Sequence, residues 1–211
     1  MIRLFLLRHG NTFETGQTPV QIGAKTDLPL TNKGREQAAA FAQFMTQLPT
    51  PAAIYAGSLK RQIETAQIVA QALHAETLLH LNEEALTEID YGAWEGLASE
   101  EIDHRWPEEY TAWTTAATWP SHLFESSLEW HLAALKQWLD SLRAKYAPGD
   151  TIVGISSNGT IRLFYSFLEE EWGRLQREKK IETLKVKTGH FCELALYDKG
   201  LEVVRWNCSV A

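Results

Sequence analysis

A short apolar run at residues 2–7 stops abruptly at Arg8-His9-Gly10, and no other stretch constrains the fold as tightly. Such a run reads as a buried strand that delivers a guanidinium and an imidazole to its C-terminal end. In open α/β sheets that end is where ligands sit. Two further short apolar runs, 53–57 and 151–155, are each followed by helical spacing. Ile63, Ala66, Val69 and Leu73 recur after Ser58, and Ile161, Phe164, Phe167 and Leu168 recur after Ser156-Ser157-Asn158-Gly159. The first run reaches its helix through a long loop, 11–30, with Gly16, Pro19, Gly23 and Pro29. Thr31 then caps a helix carrying Phe41, Phe44, Met45 and Leu48 on one stripe, and Ser58 is the expected cap of the second helix. Residues 122–146 form the strongest amphipathic pattern, with Phe124, Leu128, Leu132, Leu135, Leu139 and Leu142 aligned. Residues 192–197 and 201–206 read as a hairpin turned at Asp198-Lys199-Gly200. The alternation predicts one α/β domain over 1–211. It has three layers (α/β/α), a mostly parallel sheet and an antiparallel C-terminal edge hairpin.

Residues 97–121 interrupt this rhythm with Trp106, Tyr110, Trp113 and Trp119 among Glu100, Glu101, Glu108 and Glu109. A helical insertion of this kind forms either a cap over a cleft or a satellite hydrophobic cluster. The formal net charge of −7 leaves no basic stripe to displace counterions, which argues against nucleic acid or an anionic membrane as partner. No run approaches the roughly 18 to 20 apolar residues of a membrane span. The first residues lack a signal-peptide pattern, so a cytoplasmic location is expected. Cys192 and Cys208 are too few for a disulfide scaffold and are expected as buried thiols. Neither has metal-ligand spacing.

An imidazole beside a permanent cation suits attack on phosphorus. Arg8 would grip phosphate oxygens while neutral His9 acts as nucleophile. Arg61 falls in the first turn after Ser58, where its guanidinium and the free N–H groups of the helix end would serve one anion together. The alternative is a surface pair of Arg61 with Glu64 or Glu36.

These stretches also carry a resemblance. Leu7-Arg8-His9-Gly10-Asn11-Thr12 with Asp27-Leu28-Pro29-Leu30-Thr31, Ser58-Leu59-Lys60-Arg61, Glu88 through Trp94-Glu95-Gly96, and Gly159-Thr160-Ile161-Arg162 resemble the signature blocks of the histidine phosphatase superfamily, in its phosphoglycerate mutase-like branch. The resemblance runs in order over nearly the whole chain. It implies that His9 takes the phosphoryl group covalently, that Arg8 and Arg61 hold its oxygens, and that Glu88 protonates the leaving oxygen. Asn11 is a further expected phosphate ligand, and neither metal nor cofactor is required. The chemistry agrees, since a phosphoryl group in flight spreads charge over three oxygens that fixed cations stabilise.

One departure stands out. The family's fourth block carries a second histidine, and here Ser157 occupies that place, followed by Asn158. A hydroxyl brings no charge, and losing a charge-assisted contact of about 1.5 to 3 kcal/mol slows transfer by roughly one to two powers of ten. Ser157, Asn158 and, from elsewhere in the fold, His190 are the candidate replacements. Thr15 likewise stands where an Asn is often found.

The resemblance thus implies a phosphomonoesterase that acts on a small phosphorylated metabolite, with water as final acceptor. The alternatives are phosphoglycerate mutase-type transfer and a weakly active phosphate-binding regulatory protein. Within 97–121 Arg105 faces four Glu and one Asp, which disfavours a substrate with a second anionic group.

Overall fold

The computed structural model describes residues 1–168 and 183–210. The charged stretch at 169–182, with its mixed run from Arg177 to Lys180, lies outside them. Six strands form one sheet: β1 (Ile2–Arg8), β2 (Ala53–Ala56), β3 (Leu79–His80), β4 (Thr151–Ser156), β5 (Phe191–Tyr197) and β6 (Gly200–Cys208). Their order is β3-β2-β4-β1-β5-β6. The first four run parallel, while β5 is antiparallel to β1 and β6 to β5, so the hairpin forms the edge as expected.

Both faces of the sheet are covered, which is why β1 reads as continuously apolar rather than alternating. Phe5 and Leu7 pack with Phe41 and Met45 of α1 (Asn32–Met45) and Val69 of α2 (Lys60–Ala72). Leu4 and Leu6 face the other way, in one cluster with residues of the two helices on that side. In chain order α3 (Ser99–Arg105) and α4 (Pro107–Ala116) follow α2, and their Ile102 and Trp113 join the same cluster. The two helices on that side are α5 (Leu128–Lys145), which contributes Leu135, Leu139 and Leu142, and α6 (Asn158–Leu163), which contributes Ile161.

This arrangement positions a site. Adjacent strands β1 and β4 end in register, Arg8 beside Ser156, yet the chain leaves β1 toward one face and β4 toward the other. A crevice opens where neighbouring parallel strands diverge in this way. The chain beyond β1 is held tightly against the start of α1. A Cβ on Gly10 would lie 2.2 Å from the Gly34 carbonyl oxygen, so the close approach that needs glycine is to α1.

Local signals succeeded where the chain ends its own helices and failed where tertiary partners intervened. Thr31 caps α1, its Oγ1 accepting the Gly34 N–H at 3.1 Å. Ser58 does not cap α2, because its N–H and hydroxyl both bond to Thr87 Oγ1. Leu59 takes that place, its N–H donating to Gln62 Oε1 at 3.2 Å. Helix α5 begins at Leu128, capped by Ser127, and not at 122. The Pro120 carbonyl accepts the N–H groups of Leu123 and Phe124 instead, turning Phe124 inward. Around its ring stand Trp94, Trp113 and Trp119 with centroids 5.0, 5.3 and 5.0 Å away, all edge-on. Edge-to-face pairs of this kind add about 0.5–1.5 kcal/mol each beyond their burial. The aromatic residues of 97–121 are thus largely spent on packing against the body of the protein. Cys192 is buried and Cys208 half-buried, both as free thiols. Among the described residues no helix is long and apolar enough to cross a membrane.

His131, on the buried side of α5 against Trp119, has no hydrogen-bond partner for either ring nitrogen among the described residues. Burial pushes its pKa down to about 4. Its folded value lies below the unfolded one, near 6.5. The unfolded chain therefore takes up the proton first as pH falls, and stability that is complete above pH about 6.5 declines toward pH 4. Replacing His131 by Leu should flatten this decline in melting temperature between pH 7 and 5. An unchanged slope would assign the acid sensitivity to other groups.

Candidate active site

The crevice at the ends of β1 and β4 is a cavity of about 400 Å³. Arg8, His9, Asn11, Glu88 and Asn158 all line it, although they come from three separate segments of the chain. Arg61 and Ser157 are buried behind this lining.

His9 is buried and held at both ends. Its N–H donates to the Ser156 carbonyl at 3.0 Å, and its ring Nδ1 lies 2.8 Å from the Gly10 carbonyl oxygen. A carbonyl only accepts, so Nδ1 carries the proton and Nε2 keeps its lone pair. Burial, and then the charges of Arg61 and Arg8, push the imidazole well below its usual pKa. It is neutral at pH 7.

The two guanidinium groups are anchored by carbonyls. Arg61 is fully buried and donates from Nη1 to Thr26 O at 2.7 Å and from Nη2 to Gly23 O at 3.0 Å. No surface pair forms, since Glu64 is taken by Arg35. Arg8 donates from Nη1 to Val186 O at 2.7 Å. Burial pulls Arg8 down to about 10, with Arg162 and Arg61 adding to the effect and Glu88 and Tyr91 opposing it. Both arginines remain cations at neutral pH. Each also has a buried Nε–H without a protein partner among the described residues. The expected use of the α2 N-terminus as an anion site does not hold for its first amide, because Asp27 Oδ1 accepts the Lys60 N–H at 2.6 Å.

Glu88 is buried and is the single carboxyl among the lining residues. Its oxygens accept the N–H groups of Gly159 at 3.1 Å and Thr160 at 3.0 Å, and the hydroxyls of Thr160 at 3.3 Å and Tyr91 at 3.4 Å. A Cβ on Gly159 would lie 2.1 Å from the Tyr91 hydroxyl oxygen, so this contact set requires glycine there.

The expected substitutes for a second histidine separate in space. Asn158 Oδ1 accepts the Val186 N–H at 2.8 Å, which leaves Nδ2 as a donor with no partner among the described residues. Ser157 Oγ accepts from Gln62 Nε2 at 2.9 Å, inside the protein. His190 is not brought to the cavity. Its Nδ1 faces the Asn207 carbonyl at 3.0 Å, on the hairpin side of the sheet. Asn11 lines the cavity, but its Nδ2 is engaged by Phe13 O and Thr31 Oγ1, so it holds the loop. Thr15 is exposed and outside the lining. Two cationic lining residues, Lys185 and Lys187, are not among those the sequence singles out. Their only signal was the Lys-Val-Lys spacing just before Thr188-Gly189. Among the described residues there is no group of three or more His, Cys, Asp or Glu that could hold a metal.

The model of the histidine phosphatase superfamily (branch 1) matches residues 4–209. The chain belongs to that superfamily, and its enzyme class is that of the histidine phosphatases. It is 28% identical to phosphoserine phosphatase 1 of Hydrogenobacter thermophilus over 169 residues, 80% of this chain and 76% of that protein. It is 30% identical to a glucosyl-3-phosphoglycerate phosphatase of Mycolicibacterium vanbaalenii over 127 residues, 60% of this chain and 54% of the relative. That second match thus spans about half the relative's length. Among solved structures, a mycobacterial glucosyl-3-phosphoglycerate phosphatase in complex with VO3 superposes with a TM-score of 0.78 at 23% identity, covering 98% of this chain and 99% of that one. A phosphoserine phosphatase from Entamoeba histolytica in complex with 3-phosphoglyceric acid gives 0.72 at 24%, covering 99% and 98%. These two likenesses are of fold.

The Ser157–Gln62 contact makes a prediction. An imidazole at 157 needs the volume that the Gln62 amide fills, and overpacking of this kind costs about 1–3 kcal/mol. Ser157→His should lose that much stability in urea titration, and Ser157→His with Gln62→Ala should recover most of it. A single variant as stable as the parent would mean that the amide yields freely.

Proposed function

We propose that this protein is a phosphomonoesterase that hydrolyses a small phosphorylated metabolite through a covalent phosphohistidine at His9. One observation carries the reading: a neutral imidazole, its Nδ1–H committed to Gly10, sits under the influence of two arginine cations in a cavity shared with one carboxyl. Nε2 is then the nucleophile toward phosphorus. Arg8, Arg61 and the Asn158 amide supply donors for the three phosphoryl oxygens, where charge gathers as the bond to the leaving oxygen breaks. Glu88 hands a proton to that oxygen as the alcohol departs. In the second half it takes one from water, which attacks the phosphohistidine and frees inorganic phosphate and His9. Ser157 acts from behind, through Gln62, as part of the pocket wall. Segment 97–121 serves as a partial cap, since Ser99 lines the cavity and Ala98 bridges to Val20 of the opposite loop. Two free thiols suit a reducing compartment such as the cytoplasm.

Phosphoglycerate mutase-type transfer is the second reading, favoured by Lys185 and Lys187. These provide the extra cations that the sequence lacks within 97–121. Release of inorganic phosphate from the substrate, against its retention in a rearranged product, separates the two.

Quenching turnover of 32P-labelled nitrophenyl phosphate should leave label on the parent protein that survives alkali and is lost in acid, the behaviour of a P–N bond. His9→Ala should carry none and should lose at least three powers of ten in kcat. Label retained by His9→Ala would overturn the assignment. The depressed pKa adds a second expectation. The His9 ring resonances should not titrate between pH 6 and 8, whereas an ordinary histidine passes its midpoint near 6.5.

A further inference from the structure

Lys185 and Lys187 flank Val186 in the segment that enters β5, and both line the cavity. Residues two apart in extended chain share a side. The burial pattern agrees, with Lys185 and Lys187 exposed and Val186 buried. The backbone between them is tied to the site itself. The Val186 carbonyl accepts from Arg8 at 2.7 Å, and the Val186 N–H donates to Asn158 at 2.8 Å. The Lys187 N–H donates to Asn207 Oδ1 at 2.8 Å. The two side chains therefore start from a stretch held against the residues that face the phosphate.

Among the described residues no protein anion answers them. Lys25, Lys60 and Lys136 each pair with an aspartate, but neither Lys185 nor Lys187 has an ion-pair partner among the described residues. Glu88 has both oxygens engaged by Gly159 and Thr160. Burial pushes the pKa of Lys185 down, and the charges of Arg8, Arg162 and Lys187 push it the same way. One phosphoryl group is already provided for by Arg8, Arg61 and Asn158. Two further cations at its rim, in a chain of net charge −7, exceed what one phosphate requires.

We propose that Lys185 and Lys187 bind a second anionic group of the substrate, so that the site selects phosphate monoesters that also carry a carboxylate or a second phosphate. This rests on the phosphatase reading and names the substrate class for it. It also reverses the expectation drawn from the acidic 97–121 segment, whose carboxylates, Ser99 being its one lining residue, stay off the cavity wall.

The test compares kcat/KM for 3-phosphoglycerate with that for glycerol 3-phosphate, which has a hydroxymethyl in place of the carboxylate. Propane-1,3-diol bisphosphate serves as the second arm. The parent should prefer one of the two compounds that carry a second anionic group over glycerol 3-phosphate, by a ratio that falls as salt is raised. Which one it prefers tells carboxylate from phosphate. In Lys185→Met/Lys187→Met that ratio should drop about tenfold, while Lys185→Arg/Lys187→Arg should retain it. A parent with no preference, or a Met variant with the parent's ratio, overturns the inference and leaves the phosphatase reading standing. An equal loss on all three compounds also overturns it, by placing the lysines on the phosphoryl group. Failure of the parent to hydrolyse any of them overturns the inference, and failure on nitrophenyl phosphate as well overturns both.

Discussion

A guanidinium taken out of water costs several kcal/mol unless its N–H groups find acceptors, and this protein holds two of them against one imidazole. The irregular segments around the sheet are organised by that demand. Loop 11–30 is long because it reaches over the end of β1 and presents the Gly23 and Thr26 carbonyls to Arg61. The approach to β5 presents Val186 O to Arg8. A third buried arginine, Arg162, takes the Trp113 carbonyl at 3.0 Å and lies 4.8 Å above the Trp113 ring. Each cation thus meets carbonyls from a different segment of the chain, and each segment is tied down by the cation it serves.

The consequence for chemistry is electrostatic. Cations that are anchored through carbonyls keep their full charge, because a carbonyl accepts without neutralising. That charge, together with burial, keeps His9 unprotonated, which is the state an imidazole needs in order to attack phosphorus. The same field makes the cavity positive within an acidic protein, so that an anion is favoured there and not over the rest of the surface.

The place of the second histidine illustrates how a core absorbs a change. Ser157 is small, and the Gln62 amide lies against it, donating also to the Leu86 carbonyl at 2.9 Å. The space is filled by a neutral hydrogen-bonded pair facing the interior. Charge at the rim comes from the lysines of a segment almost thirty residues further along the chain. What fills the place of that histidine is thus set by proximity in the fold, since Gln62 and Ser157 lie far apart in the chain.

What could be read from the residues was whatever depends on neighbours in the chain. The apolar runs and their following helices gave the layers, the hairpin and the Thr31 cap. The Arg8-His9-Gly10 and Glu88 blocks marked residues that the fold brings to one cavity. Strand ends and helix periods are local properties, and burial on both faces leaves its own apolar signature. Tertiary structure alone decided that Ser58 pairs with Thr87 and leaves Leu59 to begin α2, and that His190 faces Asn207. It alone put Lys185 and Lys187 at the rim. Each of these depends on contacts between residues far apart in the chain, where hydrogen-bond partners compete and the nearest satisfied geometry wins, and no local pattern encodes that competition.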